Sequence, residues 1–457
     1  MAVGTDPLRV GLVPIVRPLF RGARLGLAEQ SARALAALGE ELGFEVAYVA
    51  PPVAAAADAA AAASELAARH RARALDLAMV LHVTFAAGEV LAPLLAAPPP
   101  LGLWALREVA ATGPLPQNAL CGAHLGLSLP AARARPVKWF YGEATEAPFR
   151  RRLEVTVRAL RGVRAVRGAR VLWVGGVAPG FARFESLPDL PVTVDRRPLE
   201  AAFDALRAVD EADVDAALAT LDEPSALVRD DLRGTVRVEL ALEALAAGYD
   251  AVALRCWPEI PDRAGVQTCS AYARLADRGC LLACEGDAAG VISMLAVAAV
   301  TGGPAILVDL SAADERGLLL WHCGNAATAW AADGRTRLAP HFNRGIPAVR
   351  EMRLAPGAAC GLRFLEGRRA VVYAGRVLDR PDGYDGVSGW IGDLRWAGRP
   401  IGPDGFLASA LNHGLPHHLI WGRGDNEAAL MELCAWLGHV PLEADPEAVT
   451  LRWTDAR

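Results

Sequence analysis

The sequence predicts an α/β protein: two doubly wound, Rossmann-like α/β domains followed by a β-rich, barrel-like C-terminal domain. Short apolar runs alternate with helical periodicity through most of the chain, the pattern of parallel sheets flanked by helices. At 457 residues the chain exceeds the roughly 250–300 residues at which single cores stop growing, so it holds more than one domain. Beyond Asn325 the periodicity changes to short β-type runs, MRLAP, CGLRFLEG, RAVVYAGRVL and GDLRWAGRPI, divided by Gly, Pro and Asp turns. The expected domains are 1–166, 167–300 and 301–457.

The first domain opens with an apolar run at Arg9–Ile15, followed by Arg17-Pro18. Leu25–Leu42 then repeats apolar residues at helical spacing until Gly43 stops it. Strands are expected at Val46–Val49, Leu77–His82, Leu101–Trp104 and Val137–Tyr141, with helices around Ala54–Arg73 and Leu120–Leu129. The low-complexity stretch Ala54–Ala68 reads as a surface helix. A helix over Phe149–Ala165 leads to the second domain, which begins with the strand Arg170–Gly176 and the loop Val177–Phe181. VGGVAPG at that turn fits neither G-x-G-x-x-G nor the P-loop, and no GK[ST] follows, which argues against a nucleotide site. Tyr249–Leu254 is a strand that delivers Arg255-Cys256-Trp257-Pro258 to a loop.

The next stretch carries the most information. Leu281–Ala283 reads as a short buried strand ending near Glu285, Ala288–Val300 as an apolar helix, and Ala305–Val308 as a strand ending at Asp309. A strand–helix–strand unit of this length predicts a parallel crossover with both acids at one sheet edge, where ligands sit in such folds. Near the C-terminus a helix over Asn426–Leu437 closes the β-rich region.

Composition narrows the function classes. With 53% hydrophobic and 22% charged residues the chain is globular, and its net charge of −5 is spread along it. Lys138 is the only lysine and the arginines form no basic tail, so neither nucleic acid nor an anionic membrane is the expected partner. Eight cysteines without a CxxC pair read as free thiols in a reducing cytoplasm. The N-terminus lacks the basic and apolar regions of an export signal. The uncharged run Ala288–Val308 is broken by Gly302, Gly303 and Pro304, so a buried helix followed by a strand is expected there, not a membrane span.

Glu285 and Asp309 each stand at the edge of otherwise buried sequence, where a carboxylate costs several kcal/mol unless it is paired or bound to metal. The simpler alternative is that Glu285 caps the following helix and Asp309 begins a turn. Three of the nine histidines, His413, His417 and His418, fall within six residues. Two carboxylates and one imidazole suit Mn²⁺, Mg²⁺ or Co²⁺. Trp257 either lines a pocket or covers the core edge. Asn118 is an N-cap or a pocket residue, and Arg17 a surface ion pair or a pocket residue.

ACEGDAAGVISMLAVAAVTGGPAILVDLS resembles the segment of the L-fucose isomerase family that carries two metal-binding acids, a Glu in E-x-D and an Asp in D-[LV] after the next strand. Arg17-Pro18, the string N-x-L-C-G at Asn118–Gly122 and R-C-W-P at Arg255–Pro258 are similar to strings found in that family or its shorter members. The resemblance implies an aldose–ketose isomerase acting through a cis-enediol on a small sugar of the L-fucose, D-arabinose or L-arabinose type. It implies a divalent metal, Mn²⁺ first, held by Glu285, Asp309 and His418, with Glu285 and Asp309 also moving the proton. Counting back from Leu437-Gly438 selects His418 as the ligand and puts His417 at a substrate contact where the family has Asn. Arg17, Phe85, Asn118, Trp257 and His322 complete the implied substrate set, with a fourth-ligand role left open for His322. The resemblance further implies a homo-oligomer, trimer or hexamer, in which Arg17, Phe85 and Asn118 serve a neighbouring subunit's site. The competing expectation is a noncatalytic sugar-binding or regulatory protein on the same scaffold.

Overall fold

The computed structural model describes residues 6–181, 185 and 187–447. The chain divides into two compact units, Thr5–Arg161 and Gly162–Arg457. Among the described residues no helix is long and apolar enough to cross a membrane.

The first unit is a parallel sheet wrapped by helices. Its strands are β1 (Leu8–Ile15), β2 (Phe44–Val49), β3 (Leu77–His82), β4 (Leu101–Ala105) and β5 (Val137–Tyr141), in the order β2-β1-β3-β4-β5. β1, β3 and β4 are almost wholly buried, because both faces of a parallel sheet are covered by its crossover helices. The strand order reverses between β1 and β3. In open sheets of this topology the crevice beyond that point is where ligands bind.

The second unit joins a small parallel sheet to a closed barrel. The sheet holds β6 (Arg170–Val174), β7 (Thr193–Arg197), β8 (Ala251–Leu254) and β9 (Leu281–Ala283), in the order β7-β6-β8-β9. The remaining strands are β10 (Ile306–Asp314), β11 (Gly317–His322), β12 (Arg337–Pro340), β13 (Pro347–Arg353), β14 (Gly357–Leu365), β15 (Arg369–Val377), β16 (Val387–Trp396), β17 (Arg399–Pro400), β18 (Leu419–Arg423) and β19 (Val440–Pro441). Antiparallel pairing runs β16-β11-β10-β18-β14-β15 and returns to β16, which closes the barrel and leaves the other strands as additions at its margins. Trp330, Tyr373, Trp396, Phe406 and Trp421 fill its core. The fold class expected from the sequence is the one observed.

One expectation fails. The helix Ala288–Thr301 does not lead back into the parallel sheet: β10, which carries Asp309, pairs antiparallel with β11 and β18 in the barrel. The Asp-Glu-Arg-Gly turn explains it. Asp314 Oδ1 accepts the N–H groups of Arg316 and Gly317, both at 2.9 Å, and closes a tight hairpin between β10 and β11. A neighbour two residues away closes at far lower entropic cost than a distant parallel partner.

The helix itself is buried all round from Ala288 to Val300, as its uncharged sequence requires. It lies between the parallel sheet and the barrel, packing on β8 and β9 on one side and on β14 and β18 on the other. Ser293 ties it to the barrel by accepting the Phe364 N–H at 3.0 Å.

Candidate active site

Glu285 sits just beyond β9 with left-handed backbone, φ 61, and Gly286 follows at φ 76. A non-glycine residue held there costs about 1–3 kcal/mol and persists only where its surroundings fix it. They do so here: the Ala178 N–H donates to the Glu285 carbonyl at 2.9 Å, and the Glu285 N–H donates to Cys256 Sγ at 3.4 Å. Gly286 is required by space, since a Cβ would lie 1.9 Å from the Gly176 carbonyl oxygen. The result aims the Glu285 side chain across to the barrel.

There it meets the loop before β18. Glu285 Oε2 lies 3.2 Å from His417 Nε2 and 3.4 Å from His418 Nε2. Asp309 Oδ1 is 4.0 Å from His418 Nε2. Barrel register produces this convergence: Val308 pairs with Leu419 and Asp309 with Trp321, so Asp309 has His418 on one flank and His322 on the other. The His322 and His418 rings are 5.6 Å apart. His322 Nδ1 accepts the Cys323 N–H at 2.9 Å.

Behind His418 stands a fully buried support. Its Nδ1 donates to Asp287 Oδ2 at 3.0 Å, and Arg363 on β14 grips Asp287 through two bonds of 2.7 and 2.8 Å. Asp287 Oδ1 also accepts the Gly290 N–H at 2.7 Å, so Asp287, not Glu285, caps the apolar helix. Asn118, by contrast, occupies an N-cap position without a side-chain cap bond. A carboxylate behind a histidine fixes the ring's orientation and raises its basicity, an arrangement common behind metal ligands.

The electrostatics agree with the geometry. Burial pushes the Glu285 carboxyl up, but hydrogen bonds with His417 and His418 outweigh it and hold the group well below the usual carboxylate range. Burial likewise opposes ionisation of Asp287, and Arg363 with His418 prevails. For His418 burial favours the neutral ring, yet Asp287 and Glu285 raise its pKa above the ordinary value. Positive charge is therefore favoured at His418 Nε2, whether a proton or a metal supplies it.

Glu285, His417 and His418 could hold a metal ion, with one ligand atom from each lying within 4.8 Å of the others. Asp309 is outside that threesome, though beside it. Its Oδ1 is buried and has no hydrogen-bond partner among the described residues, a costly state that a cation would relieve. Among the described residues, the acids Glu285, Asp287 and Asp309 gather around His418 with Arg363 paired to Asp287, a donor set that also suits a divalent cation. Oxygen and imidazole donors without thiolate fit manganese, magnesium or cobalt alike.

Aromatic rings border the cluster. Phe181 packs on His417 at 5.3 Å and edge-on to Trp257 at 6.5 Å, while Trp321 stacks on His322 at 6.3 Å. Trp257, His322 and His417 are thus brought to the surroundings of Glu285, Asp309 and His418. Arg17, Phe85 and Asn118 belong to the first unit, where they gather at the switch point between β1 and β3. The Arg17 N–H donates to Thr84 Oγ1 at 2.8 Å, and the Phe85 N–H donates to the Gln117 carbonyl at 2.8 Å. All three are half-buried.

Comparison with known proteins finds relatives named as sugar isomerases. No family model matches the chain. A sulfoquinovose isomerase from Priestia aryabhattai is 27% identical over 332 residues, covering 69% of this chain and 74% of the relative. One from Alkalicoccus urumqiensis is 29% identical over 318 residues, covering 64% and 70%. A third, from Clostridium sp. (strain MSTE9), is 29% identical over 319 residues, covering 63% and 69%. The chain is a relative of sugar isomerases. Those relatives are named for sulfoquinovose rather than for L-fucose.

Asp287, Arg363 and Phe181 join the site without having been expected there from the sequence. Asp287 carried a readable signal, an acid two residues after Glu285 at the start of an uncharged helix. Arg363 carried one as well: it is the single charge among the apolar residues of CGLRFL, and a cation in such a strand requires a buried partner. Phe181 had no such mark.

Proposed function

We propose that this protein is a metal-dependent aldose–ketose isomerase whose substrate is sulfoquinovose or a closely similar anionic hexose. The observation that carries the reading is the convergence of Glu285, His417 and His418 beside Asp309, with His418 held from behind by Asp287 and Arg363. The names of the relatives support the substrate class. Glu285, Asp309 and His418 would hold the divalent metal, with His417 within reach of the same position. When bound, such an ion supplies Lewis acidity at the sugar's carbonyl.

The protein's own groups do the rest. Glu285 and Asp309 are both partly exposed, with side-chain exposures of 22% and 27%, while His418 is buried, so the acids can reach a sugar and the imidazole stays fixed. One carboxylate takes the proton from C2 of the open-chain aldose, the other delivers a proton to C1, and the hydroxyl proton on the C2 oxygen passes to the C1 oxygen, which gives the ketose without net oxidation. Hydrogen bonds with His417 and His418 keep Glu285 ionised, the form a base must have, while they also reduce its basicity. Phe181 and Trp257 supply an apolar wall for the carbon chain.

The test is aldose-to-ketose conversion by chelator-stripped protein, with and without Mn²⁺, on sulfoquinovose and on L-fucose, D-arabinose and L-arabinose. Turnover of sulfoquinovose that requires metal and drops about 10²–10⁴-fold in Glu285→Gln is the expected result. Full activity after chelation, or turnover of the neutral sugars alone, overturns the corresponding half of the reading.

A further inference from the structure

The hairpin tip between β12 and β13 carries a cation with no acidic partner among the described residues. Arg344 is exposed, and among the described residues no carboxylate forms an ion pair with it; its guanidinium lies 5.2 Å from the centre of the Trp257 ring. Among the described residues, the other arginines near the cluster are already committed. Arg363 belongs to Asp287, and Arg255, which precedes Cys256, pairs with Glu259 at 2.8 Å.

Two separate chains of contact tie Arg344 to the candidate active site. On one side Trp257 follows Cys256, whose sulfur accepts the Glu285 N–H, and Trp257 meets the Phe181 ring that packs on His417. On the other, the tip is a compact turn. The Gly345 N–H donates to the His341 carbonyl at 2.7 Å, and the His341 N–H donates to the Ile346 carbonyl at 2.9 Å. The His341 ring is buried beside the Cys323 thiol, next to His322, and Phe342 packs edge-on against Trp321 at 5.5 Å. Arg344 is therefore displayed at the border of the cluster on a turn that its own backbone bonds and two anchored rings hold in place.

We infer that Arg344 is the specificity-determining residue that binds the permanently charged sulfonate of the substrate, while Trp257 shields that contact. The inference rests on the isomerase reading above and deepens it. A guanidinium presents paired N–H donors that match the oxygens of a sulfonate, and its hydrogen bonds to an anion are among the stronger ones in water-accessible sites. A cation so placed gains its charge–charge attraction only from a sugar that is anionic at C6, and a neutral hydroxyl there offers it no more than an ordinary hydrogen bond.

The experiment compares sulfoquinovose with glucose, its counterpart bearing a hydroxyl at C6, in the metal-loaded wild type, Arg344→Gln and Arg344→Lys. In Arg344→Gln the ratio of kcat/KM for sulfoquinovose over glucose is expected to fall about 10- to 100-fold, through KM more than kcat, with part of the loss restored in Arg344→Lys. An unchanged ratio in an active Arg344→Gln enzyme overturns the inference, and so does an equal loss on both sugars. Calorimetry of sulfoquinovose binding in a Glu285→Gln background separates the two readings. Binding that Arg344→Gln weakens, in a wild type that turns over neither sugar, supports the assignment of Arg344 and sinks the isomerase; no binding at all overturns both.

Discussion

Asp287 has three partners: the Gly290 N–H, Arg363 and His418. Removing one side of a buried ion pair leaves the other uncompensated, so Arg363→Met should destabilise metal-free protein by about 3–5 kcal/mol in urea unfolding. A change under about 1 kcal/mol would mean that the pair is not desolvated as described. Asp287→Asn keeps the shape but weakens the support behind His418, and Mn²⁺ affinity by titration calorimetry should drop about 10–100-fold. A second buried group predicts a pH dependence. Burial lowers the pKa of His82 from 6.5 to about 4, against a smaller upward pull from the backbone at Thr84. Across that window the unfolded chain binds the extra proton and the folded one does not, so stability falls as pH drops from 6.5 towards 4. The loss approaches roughly 3 kcal/mol at the acid end. His82→Gln should flatten this part of the urea-midpoint profile; superimposable profiles would place the acid sensitivity elsewhere.

Among the elements, β14 shows how a strand can be committed by one small residue. A Cβ on Gly361 would lie 2.1 Å from Tyr373 Cε2 and 2.2 Å from the Ile420 carbonyl oxygen. Only glycine lets the Tyr373 ring cross β14, where its hydroxyl donates to the Ile420 carbonyl at 2.9 Å and accepts the Ile420 N–H at 2.8 Å. Ile420 is two residues after His418, so the same contact steadies the histidine loop. Gly361→Ala should cost about 1–3 kcal/mol or more by overpacking. Tyr373→Phe should cost a similar amount by stranding the Ile420 backbone groups. Thermal unfolding that left either variant unshifted would contradict this packing. Elements whose information is local were legible from sequence: β3 at Leu77–His82 and β5 at Val137–Tyr141 have the expected limits, because apolar runs and flanking breakers define them. The partner of β10 was not legible, since the same apolar run serves a parallel crossover or a hairpin equally well until the Asp314 turn decides. The exposed β7, with its TVDRR sequence, gave no apolar run to read. Glu285 and Asp309 could be singled out because acids at the edges of buried sequence stand out, whereas His418 could be picked from its histidine cluster only through the family resemblance. Arg344 could not, because an arginine in a turn has no distinguishing pattern until Trp257 is seen beneath it.

At the scale of the whole molecule, the sequence resemblance implies that two groups of residues on different chains serve one reaction. Arg17, Phe85 and Asn118 gather at the switch point of the first unit's sheet, and Glu285, Asp309, His417 and His418 gather at the barrel margin of the second. If the first group serves a neighbouring copy, neither Arg17→Ala nor Glu285→Gln homo-oligomer retains full activity, yet each supplies what the other lacks. Unfolding and refolding the two variants together, or co-expressing them, would then form mixed assemblies in which about a quarter of the shared sites contain both native residues, by random pairing of subunits. Activity should rise towards that fraction of wild type, from parents that are individually near zero. Refolding each variant alone and then mixing gives the control, and light scattering on the same samples reports whether an oligomer exists. Recovery requires that Arg17 and Glu285 act from different chains, because a site built within a single chain carries one defect in every copy. A mixture no more active than its parents, in samples that light scattering shows to be oligomeric, would assign each reaction to one chain.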